Sequence, residues 1–219
     1  MSPTIPAARQ KLIERIAAAA QRSAPRGTRL LAQPFIRQYY RGVDEEDLGE
    51  YSSEQLASAA LRHLQFARMR KPGRAAVRIY NPDLAIDGWS CAHTVVEVTV
   101  EDMPFLVDSL SMVLNRAGLR VHLMAHPVIA VRRDRAGRLA EVVEEGKDAV
   151  RFVRESWQHI EIDRIAEPAR RREVEEKILG MLDDVHLAVK DWRRMRERAA
   201  ELAAGRFARP SLRTVDRHI

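Results

Sequence analysis

Cysteine is almost absent from this chain of 219 residues: Cys91 is the only one. A single cysteine closes no intramolecular disulfide and builds no cysteine-based zinc site, so a reducing compartment, the cytoplasm, is the simple expectation. Aromatic residues make up only 5% of the chain. No apolar run approaches the roughly 18–20 residues that a membrane span needs. The longest near the N-terminus, Ile16 to Ala20, is too short and too rich in alanine for a secretory signal core. Lysine is scarce too, occurring at positions 11, 71, 147, 177 and 190, so arginine carries the net charge of +6. The pI of about 9.9 raises nucleic-acid binding as an alternative. Against it, the basic residues are interleaved with acids in "RRREVEEK" and "RRMRERAAEL", the pattern of a solvated mixed-charge surface. Neither nucleic acid nor membrane is therefore expected as a partner. GxGxxG, P-loop, GxSxG and HExxH signatures are also missing, so no catalytic residue is assigned.

What is present begins with helix. Residues 1–71 read as a helical segment. "AARQKLIERIAAAAQ" places Leu12, Ile13, Ile16, Ala19 and Ala20 on one face. Pro25 and Gly27 then interrupt the chain, and a shorter piece carries Phe35, Tyr39 and Tyr40 inward. The acids at 44–47 read as a loop and helix start. Ser52 or Ser53 can cap "SEQLASAALRHLQFARMR", whose stripe is Leu56, Ala60, Leu64 and Ala67.

From residue 72 to 166 the period changes to that of strands. "AAVRIYNP" alternates, and in "HTVVEVTV" Val96, Val98 and Val100 face one way while Val95, Glu97 and Thr99 face the other. Asp102 is expected as a helix N-cap with Pro104 in the first turn. The helix that follows carries Met103, Leu106, Leu110, Val113, Leu114 and Ala117, and Gly118 ends it. "RVHLMAHPVIAVRRD" reads as one long strand, "RLAEVVEE" as a short return and "RFVRESWQHIEIDRI" as another strand. With the strand at 75–80 added, the order predicts a ferredoxin-like α+β core: an antiparallel sheet with helices on one face.

Residues 167–205 form a long amphipathic helix. Val174, Ile178, Met181, Val185, Ala188, Trp192, Met195, Ala199 and Leu202 recur at alternating steps of four and three, a heptad seam. Such a helix is about 50 Å long at 1.5 Å per residue, longer than a small sheet needs as cover. The seam is therefore expected to pack on the sheet and then continue onto the N-terminal helices or another subunit. Residues 206–219 read as a tail or linker.

Three clusters are candidates for chemistry. His122 and His126 share a strand, with His93 and His159 on others, but no spacing fixes a metal geometry, and no metal is expected. Glu97, Asp102 and Asp108 surround one strand–helix junction and could act as paired carboxylates, although capping already accounts for Asp102. The loop Asp102, Met103, Pro104, Phe105, Leu106 leads into a helix N-terminus, whose N–H groups favour a carboxylate or phosphate. That loop is a candidate ligand site, although on the residues alone a capped helix with no ligand is the favoured reading.

The stretch "HTVVEVTVEDMPFLVDSLSMVLNRAGLRVHLMAHPVIAVRRDRAGRL", followed by "ESWQHIEIDRI", resembles the N-terminal region of the large bacterial NAD-specific glutamate dehydrogenases. "DMPFLVDS", "HPV" and "ES.QHIEID" at their separations are its most specific parts. The resemblance implies an ACT-like module upstream of a dehydrogenase domain, in a cytoplasmic homo-oligomer that oxidises L-glutamate to 2-oxoglutarate and ammonium with NAD. It implies a non-catalytic regulatory and assembly region that ends before the catalytic domain. This chain would bind no cofactor, and NAD would sit only in the catalytic domain. Partners would be other copies of the chain, the remainder of the dehydrogenase, and an amino-acid effector. A free-standing amino-acid-sensing module is the alternative. ACT modules commonly place a glycine in the ligand loop; here Phe105 stands at that position, which favours packing over sensing. The assembly seam expected is Val174, Ile178, Met181, Val185, Trp192 and Met195.

Overall fold

The computed structural model describes residues 6–143 and 152–203; the expected tail at 206–219 lies outside them. The chain opens with α1 (Ala7–Ser23), α2 (Arg29–Tyr39), α3 (Glu45–Gly49) and α4 (Ser53–Phe66), followed by β1 (Ala76–Tyr80) and a short α5 (Leu84–Asp87). Then come β2 (Thr94–Glu101), α6 (Leu106–Arg116), β3 (Val121–Ala125), β4 (Val128–Arg133), β5 (Leu139–Val142), β6 (Val153–Ile162) and α7 (Pro168–Ala203). α4 begins with a reciprocal capping box: the Gln55 backbone N–H donates to the Ser52 hydroxyl, and the Gln55 side chain accepts from the Ser52 N–H.

The strands form one sheet in the order β1-β2-β6-β4-β5, with β3 also paired to β6. Every pairing is antiparallel. β1 occupies the place of the fourth strand, so the core has the α+β, ferredoxin-like and ACT-like plan. The stretch read as one strand over 120–134 is two, because Pro127 has no N–H to give the ladder. β3 pairs with residues 159–162 of β6 and β4 with residues 153–156. The Trp157 N–H still bonds the Pro127 carbonyl at 2.9 Å between them.

The two faces of the sheet differ in chemistry. Val96, Val98, Val100, Ile160 and Ile162 point to an apolar face covered by α6 and α7, through Leu106, Leu110, Leu114, Val174, Ile178 and Leu182. That is the one-sided helix cover expected of the core. The opposite face carries Glu97, Thr99, Trp157, His159 and Glu161, and these too are buried. α2 lies over β4 and β5, α4 reaches β2 through His63, and α1 packs on both helices; together they share a core with Trp157, Ile129, Val131, Leu139 and Val142. The helical front is thus the second layer over the sheet. Phe35 meets Trp157 edge-on at 4.8 Å between ring centroids.

The β4–β5 turn is stitched to the segment after α4. The Arg70 N–H bonds the Gly137 carbonyl at 3.1 Å and the Leu139 N–H bonds the Arg68 carbonyl at 2.8 Å. Gly137 has φ +85°, and a Cβ there would lie 2.1 Å from the Arg70 carbonyl oxygen. Only glycine fits that approach. Among the described residues, no helix is long and apolar enough to cross a membrane.

Candidate functional site

The β2–α6 connection departs from its expected geometry. α6 begins at Leu106, and its N-cap is Phe105 at φ 70° and ψ 4°, with no side-chain cap. Asp102 is therefore not the cap, and Pro104 precedes the helix instead of lying in its first turn. The turn at Met103–Phe105 closes by left-handed backbone, which a side chain at Asp102 cannot substitute. The Asp102 N–H donates to the Arg154 carbonyl at 2.9 Å. Its carboxylate lies 3.6 Å from the Arg154 guanidinium, an exposed pair of small energetic weight. Phe105 is the one non-glycine residue with positive φ among those described, and its side chain is 62% exposed. The ring fills no pocket. Leu106 is buried in the apolar core.

Beside this loop lies an open cavity of about 400 Å³, with Glu101, Asp102 and Met103 on one wall and His186, Val189, Lys190 and Glu197 of α7 on the other. Of the five loop residues singled out in the sequence, Asp102 and Met103 thus line a cavity. Carboxylates beside an ammonium group offer the charge pattern of a zwitterion: acids for an amino group, Lys190 for a carboxylate.

α7 divides along its length. Val174 and Ile178 are fully buried in the chain's own core, and Met181 and Val185 pack partly against it. Further on, Trp192 is 51% exposed and Met195 62%. The seam is continuous in sequence, but only its second half presents apolar surface to solvent.

The polar face holds a network that sequence reading did not assemble. Asp108 is exposed on α6 and Asp102 sits in the loop, so neither meets Glu97. Glu97 instead accepts from Arg78 and from the Tyr80 hydroxyl. Burial raises its carboxyl above the ordinary range, and Arg78 opposes that. Glu155 accepts from Arg70 and Arg133 at 2.6 Å each. Glu161 accepts from Tyr51 at 2.7 Å and pairs with His93 at 2.8 Å. Burial alone would raise the Glu161 carboxyl, but His159, His93 and Tyr51 outweigh it and bring the pKa to about 2. Burial, reinforced by the Glu161 charge, pushes the Cys91 thiol up to about 11.

His93 stacks on His122 at 4.1 Å between centroids, and His122 bonds Asp163 at 2.8 Å. His126 is exposed and apart from them. His63, unremarked in the sequence, bridges the Tyr39 hydroxyl at 2.8 Å and the Thr99 hydroxyl at 3.0 Å. The signal available was the odd-numbered row of polar residues on β2 and β6. Alternation alone assigns such a row to solvent, whereas here the helical layer buries it.

A family model described as "Glutamate dehydrogenase, ACT1 domain" matches residues 35–178. NAD-specific glutamate dehydrogenase of Halomonas elongata is 39% identical over 165 residues, which are 75% of this chain and 10% of that protein. The protein of the same name from Pseudomonas aeruginosa is 34% identical over 168 residues, 77% of this chain and 10% of the relative. That from Mycobacterium tuberculosis is 26% identical over 160 residues, 70% and 10% respectively. The chain spans about a tenth of the length of the curated relatives it matches.

Proposed function

The chain belongs to the family of the glutamate dehydrogenase ACT1 domain, and from that premise we propose that it is a non-catalytic regulatory and assembly region of a cytoplasmic NAD-specific glutamate dehydrogenase. Oxidation of L-glutamate, and the NAD it requires, belong to a catalytic part, and this chain supplies contacts. The single observation that carries the assembly role is the exposed second half of α7. Trp192 and Met195 continue the stripe that Val174 and Ile178 bury, and they are about half or more open to solvent. Large apolar side chains in continuation of a buried seam mark a docking surface, here for another copy or for the remainder of the dehydrogenase.

Sedimentation of the chain over a wide concentration range tests the reading. Self-association is expected, and Trp192→Glu with Met195→Glu should abolish it while leaving the circular dichroism unchanged. A strict monomer at the highest concentration removes self-assembly through α7.

A sensing role has its own support in the cavity beside Asp102, whose acids and Lys190 match an amino acid's two charges. An effector that binds only the folded chain raises its melting temperature. A thermal-shift screen with the twenty amino acids is expected to single out one or a few, with the shift lost in Asp102→Ala. No shift with any of them leaves assembly alone.

A further inference from the structure

We propose that Cys91, His93 and Glu161 form a binding site for one divalent cation of the zinc class. The three ligand atoms, a thiol sulfur, an imidazole nitrogen and a carboxylate oxygen, all lie within 4.8 Å of one another. That donor set is the one zinc and cobalt take: sulfur and imidazole with one carboxylate, leaving a fourth tetrahedral position for water. Cys91 and His93 come from the loop before β2, and Glu161 from the middle of the sheet, so the sequence separates them by most of the core. This is why one cysteine and scattered histidines gave no metal pattern in the sequence.

The environment of Glu161 sets it apart from the other buried acids. Asp87, Glu97 and Glu155 each meet a guanidinium, from Arg62, Arg78 and Arg70 respectively. Glu161 meets imidazoles, a phenol and a thiol instead. A buried carboxylate surrounded by groups that are themselves metal ligands is arranged for a shared cation.

The surroundings also hold the ligands in place, as sites for metals do. The Tyr51 hydroxyl fixes Glu161 Oε2 at 2.7 Å, and His159 lies 3.7 Å from Oε1. Arg164 donates to the Cys91 carbonyl at 3.4 Å. His122, oriented by Asp163, forms a flat wall against the His93 ring. Glu161 is 3% exposed and His93 27%, so the site is shielded beneath and open above. His93 Nδ1 and Glu161 Oε2 are now 2.8 Å apart. Metal bonds of about 2.0–2.1 Å at tetrahedral angles put two such ligands about 3.3 Å apart, a shift of roughly half an ångström. The ion replaces their hydrogen bond: the proton that His93 Nδ1 donates to the carboxylate is lost to solvent and regained at Nε2, which frees Nδ1 to ligate, and the thiol proton leaves to solvent as the thiolate–metal bond forms. Its effect is a clip, joining the loop before β2 to the central strand and, through Tyr51, to the helical layer.

Cobalt titration of the full chain, reduced and stripped with a chelator, tests this. A cobalt–thiolate bond gives an ultraviolet charge-transfer band, and a four-coordinate site gives strong visible bands. Both should saturate at one equivalent and vanish on adding Zn2+. Cys91→Ser should abolish the charge-transfer band, and His93→Gln and Glu161→Gln should each weaken cobalt binding on the order of tenfold or more. Zn2+ should raise the melting temperature of the parent chain and not of Cys91→Ser. His93→Gln, on the loop, decides the matter where Glu161→Gln does not fold. No charge-transfer band, or one with unchanged affinity in His93→Gln, overturns the site; the second result identifies a lone thiol adduct.

Discussion

The Tyr51 hydroxyl donates to Glu161 Oε2 across 2.7 Å, and this bond joins the segment between α3 and α4 to the central strand of the sheet. The acceptor is a charged carboxylate buried in the polar face, so the bond is stronger than an ordinary neutral one. Tyr51→Phe removes the donor and leaves the carboxylate with one partner fewer. A loss of about 2 kcal/mol is expected by urea unfolding. A change within error would mean that solvent already reaches Glu161.

Phe105 occupies left-handed backbone, at φ 70°, with its ring mostly in solvent. Left-handed backbone costs an L-residue about 1–2 kcal/mol, and glycine escapes that cost. Little apolar burial is lost on removing an exposed ring. Phe105→Gly is therefore expected to be neutral or stabilising by up to about 1 kcal/mol, because the unfolded chain also gains freedom. Measured destabilisation of the same size would place the Phe105 ring in a contact of the folded or assembled protein.

Glu155 holds Arg70 and Arg133 together at 0% exposure, with the two arginine side chains 3% and 8% exposed. Removing the negative charge leaves two buried guanidinium groups without their counter-ion. Glu155→Gln is expected to cost about 3–5 kcal/mol, and to be among the most damaging single substitutions in the sheet. Guanidinium denaturation would report it, and a loss below about 1 kcal/mol would show that water hydrates the pair.

His63 should make the protein acid-sensitive. Burial holds its pKa well below 6.5, with the charges of His159 and Arg78 adding to the effect. Below about pH 6.5 the unfolded chain takes up this proton and the folded chain does not. The unfolded state then binds more protons, so stability falls as the pH falls, by up to about 1.4 kcal/mol per pH unit from this group. The window opens at the unfolded value and extends downward. Urea midpoints from about pH 7.5 to about 5 would reveal the slope, and a His63 ring resonance titrating near 6.5 would remove it.

Gly137→Ala combines an unfavourable φ of +85° with a Cβ 2.1 Å from the Arg70 carbonyl. Backbone, not a movable side chain, is in the way. A loss on the order of 2 kcal/mol or more is expected in thermal unfolding, with the β4–β5 turn exchanging its amides fastest.

Much of the architecture was legible in local pattern. The valines at 96, 98 and 100 announced both the strand and its apolar face. The stripe from Leu106 to Leu114 and Gly118 delimited α6, and Ser52 capped α4. Pattern failed where a residue's role depends on what lies across from it. Asp102 looks like a cap, but the turn it enters closes through the backbone of Phe105. Val174 and Trp192 belong to one seam and meet different fates: the chain's own apolar core takes in the first and leaves the second about half exposed. His122 and His126 sit on one stretch, yet Pro127 breaks it, and it is His93 that His122 meets.

By itself the sequence determined the order of elements, the α+β class and the family, because each rests on short-range periodicity and on motifs contiguous in the chain. Tertiary structure alone decided that Glu97, Glu155, His159 and Glu161 are interior residues. A strand's polar row faces water unless a second layer covers it, and here α1, α2 and α4 supply that layer. Once covered, each buried charge requires a partner from distant sequence. Those partnerships, Tyr51 with Glu161 and His93 beside Cys91, exist only after the layers close.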